Sequence, residues 1–218
     1  YESFSFRNHS FLVFDVYKED LLQFISRKGS ISIEEIKNIS KQIFEGVNAF
    51  HSMKPAITHA DLKPENIMYD NGKVIITDFG ISFSERNIKN IYLQSRWFRA
   101  PEILLQLNFD KSIDIWSIGC IIFSLYDKGV IFKGKDCLDQ LYKIMKITGV
   151  PDEELIEKSP AKKHYFNDDN QPFVEIEIEK LDKYIKDRTL VDLLMKCFIF
   201  KFEDRITAED ALKHDFYA

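Results

Sequence analysis

One polar run constrains this chain more than any other feature of its sequence. The run reads His-Ala-Asp-Leu-Lys-Pro-Glu-Asn from His59 to Asn66, and a short apolar strand separates it from Asp78-Phe79-Gly80. Transfer of a phosphoryl group from ATP needs a carboxylate beside the acceptor hydroxyl, an amide and a second carboxylate on Mg²⁺, and positive charge near the phosphoryl group. These two segments supply all four groups, so the sequence predicts phosphoryl-transfer chemistry.

The residue types predict a role for each position. Asp61 can accept the proton of the acceptor hydroxyl or orient that hydroxyl, and Lys63 is placed to steady the γ-phosphate. Asn66 and Asp78 would hold the metal ion. The alternative interpretation is a solvated polar loop before a buried strand. A third motif further along the chain, Ala100-Pro101-Glu102, favours the catalytic interpretation, because short strings recur by chance singly but seldom together at this spacing.

Composition restricts the class of protein and its partners. The chain has 218 residues, of which 45% are hydrophobic and 30% charged, as is typical of a globular protein with a substantial core. A net charge of -5 gives no electrostatic reason to expect nucleic acid or an anionic membrane as the main partner. The chain contains neither an apolar run of membrane-spanning length nor a signal-peptide pattern. We therefore expect an intracellular protein, in the cytoplasm or the nucleus.

The cysteines predict a reducing environment. Cys120, Cys137 and Cys197 are odd in number, far apart and set in apolar surroundings. This arrangement is typical of reduced core thiols and is unsuited to a zinc site.

Hydrophobic periodicity predicts a few strands at the amino end followed by many helices. Segments 1–6 and 10–16 have the composition of paired strands, and 73–77 reads as a strand after an Asp-Asn-Gly turn. The irregular polar stretch 152–179 is expected to form a surface insertion. Helices are predicted from apolar spacing and end signals at 20–26, 32–51, 112–125, 137–147, 189–197 and 207–213.

From about Phe6 to Phe216, the order of these features resembles the large lobe of eukaryotic protein kinases, with a remnant of the small lobe in front. Within kinases the chain is most similar to the CMGC group and its dual-specificity tyrosine-regulated (DYRK) branch. Three passages carry this resemblance. They are Phe6-Arg7-Asn8-His9 before the strand ending in Phe14-Asp15, the run from Tyr92 to Glu102, and Lys162-Lys163-His164-Tyr165-Phe166.

The resemblance implies an α+β fold that is mostly α-helical. It places the end of the small lobe and the hinge at 1–17, and the carboxyl-terminal lobe at 18–218 with a CMGC-type insertion at about 152–180. It also implies two structural roles in that lobe. Glu102 and Arg205 resemble a buried ion pair, and Asp114 should accept hydrogen bonds from the backbone of the catalytic loop, the run from His59 to Asn66. Trp116 and Gly119 would pack the central helix.

The resemblance implies an ATP- and Mg²⁺-dependent Ser/Thr protein kinase, with Asp61 and Lys63 in catalysis and Asn66 and Asp78 on the metal. Lys63 favours Ser and Thr over Tyr in substrates, and Arg99 would help to form a pocket for proline after the target residue. Five further positions are implied in ATP binding. They are Phe14 at the back of the adenine pocket, the backbone of Asp15 and Tyr17 at the adenine edge, Asp20 at the ribose, and Met68 at the pocket floor.

The activation mechanism is expected to depend on tyrosine. Ala60 stands where most kinases carry the arginine that grips a phosphothreonine, so that switch is not expected. The resemblance implies instead that Tyr92 becomes an activating phosphotyrosine by autophosphorylation. Arg96 and Arg99 are suitable partners for its phosphate because one guanidinium group can donate two parallel hydrogen bonds to a phosphate group.

Part of a kinase is missing from this sequence. The chain lacks the glycine-rich loop over the phosphates, the lysine that pairs with the α- and β-phosphates, and the helix glutamate that anchors that lysine. Because the first residue is Tyr1 and not Met, we expect a trimmed domain of a longer enzyme. The alternatives are a truncated kinase or pseudokinase that serves as a scaffold, and a phosphotransferase for a small molecule. The peptide groove implied by Ala100-Pro101-Glu102 argues against the last of these.

Overall fold

The computed structural model describes residues 2–84 and 93–218. Over these residues, short antiparallel strands precede and flank a larger set of helices, as the α+β prediction requires. The strands are β1 (Glu2–Phe6), β2 (His9–Val13), β3 (Glu19–Asp20), β4 (Ile57–Thr58), β5 (Ile67–Asp70), β6 (Lys73–Ile76) and β7 (Phe83–Ser84). The helices are α1 (Leu21–Arg27), α2 (Ile33–His51), α3 (Pro101–Leu104), α4 (Ser112–Asp127), α5 (Cys137–Thr148), α6 (Glu153–Lys158), α7 (Lys162–Tyr165), α8 (Arg188–Cys197) and α9 (Ala208–Ala211).

The strands form three small sheets. β1 and β2 make a hairpin whose turn residues, Arg7 and Asn8, both have positive φ, as a two-residue type I′ turn requires. β3, β5 and β6 form the second sheet, and β4 pairs with β7. The strand predicted to continue to Val16 ends at Val13, which pairs with Glu2 of β1.

α2 confirms the longest predicted helix. Ser32 caps its amino end by accepting a hydrogen bond from the backbone N–H of Glu35, whose side chain in turn reaches the backbone N–H of Ser32. Its buried face then repeats at helical spacing and meets α4, α9 and β6. The members of that face include Ile36, Ile39, Ile43, Val47 and Phe50.

α4 is the central helix of the core and is buried along nearly its whole length. Trp116 stacks on Phe132 with ring centroids 5.5 Å apart, and it meets Phe198 at 5.1 Å. A Cβ atom at Gly119 would lie 2.7 Å from the Phe198 ring and 2.9 Å from Cys197 Cβ. Glycine is therefore required where α4 and α8 make contact, which confirms the packing roles predicted for Trp116 and Gly119.

The prediction of a surface insertion at 152–179 is wrong for part of that stretch. It contains the short helices α6 and α7, and Ile156, Tyr165 and Phe166 are buried in the main core. The Ser159 hydroxyl donates a hydrogen bond to the carbonyl of Leu105, which attaches the segment to the residue after α3. Helices of four and six residues are too short to show a helical period, so the sequence pattern missed their buried sides.

Candidate active site

Asp114, in the first turn of α4, holds the catalytic loop by its backbone. Its carboxylate accepts hydrogen bonds from the backbone N–H groups of His59 (2.8 Å) and Ala60 (2.9 Å). His51 Nε2 lies 2.9 Å from the same carboxylate, which is fully buried. These partners offset the cost of removing a carboxylate from water. The predicted role of Asp114 is confirmed.

Ala60 adopts a left-handed backbone conformation, with φ of 68°. This region is unfavourable for a residue with a Cβ atom, so it persists only where its surroundings impose it. Here the N–H of Ala60 is bound by Asp114 and its carbonyl accepts a hydrogen bond from the backbone N–H of Gln94 at 3.0 Å. Both bonds fix the orientation of the next residue, Asp61.

Four polar groups converge on the Asp61 carboxylate. Lys63 Nζ donates to Oδ2 at 2.7 Å, and Asn66 Nδ2 donates to the same oxygen at 3.2 Å. The Ser95 hydroxyl and the Ser95 backbone N–H both donate to Oδ1, at 2.8 and 3.0 Å. The Lys63 ammonium also reaches the Ser95 hydroxyl at 3.0 Å. The structure therefore brings Asp61, Lys63 and Asn66 together as the sequence predicts, and it adds Ser95.

Sequence reasoning gave no role to Ser95 or to its neighbour Gln94. The Gln94 amide is buried, donates to the Ile113 carbonyl and the Ser117 hydroxyl at 2.9 Å each, and accepts from the backbone N–H of Ala100. It thereby joins the segment that carries Ser95 to α4. The signal available in the sequence was their place in the Tyr92 to Glu102 run, where a polar pair precedes Arg96.

The segment that carries Asp78 lies directly beside Asn66. Thr77 donates two hydrogen bonds to the Asn66 carbonyl, from its N–H at 2.9 Å and its hydroxyl at 3.1 Å. His59 Nε2 lies 2.9 Å from the Thr77 carbonyl, and the Phe79 ring meets the His59 ring with centroids 4.8 Å apart. Asp78 itself is exposed, with a left-handed φ of 63°. The catalytic loop and the Asp-Phe-Gly turn are thus one connected unit.

The oxygen atoms of Asn66 and Asp78 suit a magnesium ion that arrives with a nucleotide. Asn66 donates its hydrogen bonds through Nδ2, so its amide oxygen has no donor among the described residues. The Asp78 carboxylate is exposed and binds only the N–H of Gly80 among those residues. Mg²⁺ usually takes one or two protein carboxylates and completes its shell with phosphates and water. No group of three or more His, Cys, Asp or Glu side chains that could form a protein-only metal site occurs in 2–84 or 93–218.

Two of the five residues predicted to bind ATP lie side by side. Asp20 in β3 pairs with Met68 in β5. The Asp20 carboxylate caps α1 by accepting a hydrogen bond from the Gln23 backbone N–H at 2.8 Å. The cap is a structural use of Asp20 that the sequence analysis did not foresee, and the ribose contact stays a prediction.

The other three lie in the extended segment after β2. The Phe14 side chain is 65% exposed, and Asp15 is also exposed. Tyr17 is half-buried, with the Lys73 ammonium 5.8 Å from the centre of its ring. This segment leads directly into β3, the strand in which Asp20 pairs with Met68.

The two arginines predicted to bind a phosphorylated Tyr92 have different surroundings, and Tyr92 itself lies outside the described residues. Arg99 is buried, and its guanidinium donates to the carbonyls of Leu93 and Gln94 at 2.9 Å each. Arg96 is exposed and donates through Nη1 to the Lys135 carbonyl at 2.7 Å. Arg99 therefore binds the backbone immediately after Tyr92, whereas Arg96 contacts the segment before α5.

The predicted ion pair between Glu102 and Arg205 is present and buried. Both guanidinium Nη atoms donate to the carboxylate, at 2.7 and 2.9 Å. Arg205 also donates to the carbonyls of Ser112 and Ile199. The pair thus joins α3 to the start of α4 and to the segment after α8.

Among the described residues, no helix is long and apolar enough to cross a bilayer.

Comparisons with known proteins agree with this geometry. The model of the protein kinase domain matches residues 1–217. The chain is 33% identical to the probable serine/threonine-protein kinase dyrk2 of Dictyostelium discoideum, over 97% of this chain and 25% of that protein. It is 36% identical to dual specificity tyrosine-phosphorylation-regulated kinase 3 of Rattus norvegicus, over 78% of this chain and 30% of that protein. It is 30% identical to the DYRK-family kinase pom1 of Schizosaccharomyces pombe, over 99% of this chain and 21% of that protein.

The chain therefore belongs to the protein kinase domain family, and its fold is the protein kinase fold. Within that family it is a DYRK-like eukaryotic protein kinase of the CMGC group. The chain spans between about a fifth and a third of the length of the relatives named above.

Proposed function

We propose that this protein transfers the γ-phosphoryl group of ATP to Ser and Thr hydroxyls of protein substrates. The observation that carries the proposal is the arrangement at Asp61, whose carboxylate accepts four hydrogen bonds. The donors are the Lys63 ammonium, the Asn66 amide, and the hydroxyl and backbone N–H of Ser95. The relatives named above are protein kinases, which supports a protein substrate over a small molecule.

The chemistry assigns a separate task to each side chain. Asp61 would accept a hydrogen bond from the acceptor hydroxyl and direct its oxygen at the γ-phosphorus, as the bond from phosphorus to the leaving oxygen of ADP breaks. The hydroxyl proton passes to Asp61 or to the transferred phosphoryl group. Lys63, held 2.7 Å from Asp61, places positive charge where the phosphoryl group passes.

Mg²⁺ would supply charge neutralisation at the phosphates when it is bound, and Asn66 and Asp78 would hold it. The test is phosphotransfer from labelled ATP to a basic protein, with the full-length protein and a titration of Mg²⁺. We expect labelled Ser and Thr, no transfer in EDTA, and an Asp78→Asn variant that needs at least about tenfold more Mg²⁺. Transfer that persists in EDTA contradicts the proposal, and a folded protein without transfer favours the scaffold alternative.

We propose that the adenine, ribose and pocket-floor positions are Phe14, Asp15, Tyr17, Asp20 and Met68. The pairing of Asp20 with Met68, in the strand that follows Phe14, Asp15 and Tyr17 in the chain, supports this assignment. Met68→Ala in the full-length protein is expected to raise the KM for ATP several-fold and leave the KM for the protein substrate unchanged. An equal rise in both constants contradicts the assignment.

We propose that Tyr92 is phosphorylated by the protein itself and that Arg96 and Arg99 bind the phosphate. The position of the Arg99 guanidinium under the carbonyls of Leu93 and Gln94 supports this, since these residues directly follow Tyr92. Mass spectrometry of protein expressed in bacteria should find phosphate on Tyr92 and none in an Asp61→Asn variant. Tyr92→Phe should lower kcat and increase proteolytic cleavage of the run from Tyr92 to Glu102. No change in either quantity contradicts activation by phosphorylation of Tyr92.

We propose further that the boundary between the small-lobe remnant and the large lobe lies near residue 17.

We also propose that protein targets carry proline after the acceptor residue. The buried position of Arg99, next to the segment that holds Ser95, supports this preference. Matched peptides with proline or alanine after the acceptor test it, and equal kcat/KM values contradict it.

A further inference from the structure

The three residues Lys133-Gly134-Lys135, just before α5, are attached to the short helical turn that follows Ser95. That turn spans Arg96–Phe98. The Trp97 indole N–H donates to the Gly134 carbonyl at 3.0 Å, and Arg96 Nη1 donates to the Lys135 carbonyl at 2.7 Å. Because Ser95 binds the Asp61 carboxylate directly, this attachment connects the lysine segment to the proposed catalytic centre through a single turn.

The lysine segment is rigidly held. The Gly134 N–H donates to the buried side chain of Gln140 at 3.0 Å, and the Lys135 N–H donates to Asp139 at 2.9 Å. Both N–H groups and both carbonyls of Gly134 and Lys135 are therefore bonded. A Cβ atom at Gly134 would lie 2.6 Å from the backbone of Gln140, so only glycine fits there. A fixed backbone lowers the entropic cost of binding a ligand at the flanking side chains.

Among the described residues, the cations on this segment and on the attached turn form no ion pair. Arg96, Lys133 and Lys135 are exposed, and none of them forms an ion pair with a described carboxylate. The Lys133 ammonium lies 5.3 Å from the centre of the Trp97 ring, which keeps it on the same face as the turn. We name Trp97, Lys133 and Lys135 the basic cluster, and Arg96 is left out of it because it is a proposed partner of phosphorylated Tyr92.

Two carboxylates, Asp136 and Asp139, lie beside the lysines in the sequence. Asp139 is half-buried and accepts from Lys143 at 2.5 Å as well as from the Lys135 N–H, and its pKa is lowered chiefly by Lys143 and also by the charge of Lys135. Asp136 caps α5 by accepting from the neutral Asp139 N–H, so it keeps its own charge. With Asp139 paired to Lys143, Lys133 and Lys135 against Asp136 leave a net positive charge among these residues.

We propose that the basic cluster is a specificity site for an acidic side chain of the substrate, either a carboxylate or a phosphorylated residue close to the acceptor. This inference rests on the proposed function. An extended peptide advances roughly 3.3 to 3.6 Å per residue, so positions within about three residues of the acceptor lie within about 11 Å of it, and these are the positions that we assign to the cluster. Phosphate binds arginine and lysine through the same charge-assisted hydrogen bonds as carboxylate, with more charge.

The test compares serine peptides that are identical except at one position, which is moved along both sides of the acceptor. That position carries Glu, phosphoserine or Lys, and kcat/KM is measured with the full-length protein. We expect Glu to exceed Lys by about threefold to tenfold at one or more positions within three residues of the acceptor, because attraction and repulsion both contribute. Phosphoserine should exceed Glu if the site selects previously phosphorylated substrates, and should match it if carboxylates suffice.

Substitution of the two lysines identifies the source of the preference. Lys133→Glu with Lys135→Glu should invert the ratio of Glu to Lys peptides. Lys41→Glu, an exposed change on α2 outside the cluster, should leave the ratio as it is. Arg96 is left unchanged because it is also a proposed partner of phosphorylated Tyr92.

The outcomes separate the two proposals. If no peptide is phosphorylated, the proposed function fails. If wild-type protein uses Glu and Lys peptides equally, or if the preference survives in the double variant, the basic cluster is not a specificity site and the inference is overturned. If the double variant does not fold, the ratio of kcat/KM for Glu and Lys peptides is measured at increasing NaCl concentration with the wild-type protein. The preference for Glu must then decline between 50 and 500 mM NaCl, because exposed charges are screened, and a constant ratio overturns the inference.

Discussion

Glu102 and Arg205, 103 residues apart in the chain, form a two-bonded ion pair whose side chains are 1% and 0% exposed. Removing one member of such a pair leaves the other as a buried, uncompensated charge. We predict that Glu102→Gln lowers the free energy of unfolding by about 3 to 5 kcal/mol, measured by urea denaturation.

The matched control is Glu209→Gln. Glu209 pairs with Lys213 at 2.7 Å, but both side chains are about two-thirds exposed. Exposed pairs contribute about 0 to 1 kcal/mol, so this variant should unfold almost as the parent does. Equal effects from the two substitutions would show that burial of the Glu102 pair has no energetic consequence.

The backbone bonds to Asp114 should be needed for both stability and activity. In Asp114→Asn, one carboxylate oxygen becomes an NH₂ group that cannot accept from the N–H of His59 or Ala60. The orphaned N–H should cost about 1 to 3 kcal/mol of stability and release the left-handed Ala60, which lowers kcat. Hydrogen exchange at the amides of 59–61 should accelerate by more than tenfold, whereas Asp127→Asn at the exposed end of the same helix should leave it unchanged. Unchanged exchange in Asp114→Asn would contradict this account.

Ser95 is predicted to position Asp61. Ser95→Ala removes the 2.8 Å hydrogen bond to Asp61 and the 3.0 Å contact with Lys63 but keeps the backbone N–H bond. We expect kcat to decline by roughly tenfold, the worth of one charge-assisted hydrogen bond, with the KM for ATP unchanged. Ser95→Thr, which retains the hydroxyl, should recover most of the activity. A rise in KM with an unchanged kcat would show that Ser95 acts in binding instead.

The three cysteines should differ in reactivity. Cys120 and Cys197 are fully buried, whereas Cys137 is half-buried, and none is in a disulfide. Burial raises the pKa of the Cys120 thiol well above its usual value and raises the pKa of Cys197 to about 12. Because the thiolate is the reactive form, a thiol reagent at pH 8 should modify Cys137 in the folded chain and the other two only after denaturation. Rapid modification of all three in the folded chain would contradict the packing of α4 against α8.

The same two thiols predict a loss of stability in alkali. Their raised pKa values mean that the folded state keeps protons that the unfolded chain begins to lose near pH 8.5. The unfolded state therefore binds fewer protons, and stability declines as pH rises through this window, by up to about 1.4 kcal/mol per pH unit for each thiol. Urea midpoints at pH 8 and pH 10 measure the decline, and it should be smaller in a Cys120→Ala, Cys197→Ala variant. Equal declines in the parent and the variant would rule out the thiols as the cause.

The sequence predicted features that depend on local patterns. Apolar spacing and the end signals around it located α2, and the motifs from His59 to Asp78 located the candidate site. The contact of Ser95 with Asp61 escaped prediction because it joins residues 34 positions apart through hydrogen bonds, which leave no period in the sequence. The burial of Phe166 escaped for a related reason, since α7 has only four residues.

The most direct test of the central claim is a comparison of the full-length protein with its Asp61→Asn variant. Binding of Mg²⁺ and ATP and the rate of phosphotransfer to a basic protein would both be measured. The account predicts a similar Kd for ATP in the two proteins and a kcat that is lower in the variant by roughly 10² to 10⁴, the range for loss of a positioned general base. A variant that retains the parent's kcat would contradict the assignment of Asp61 as the catalytic carboxylate.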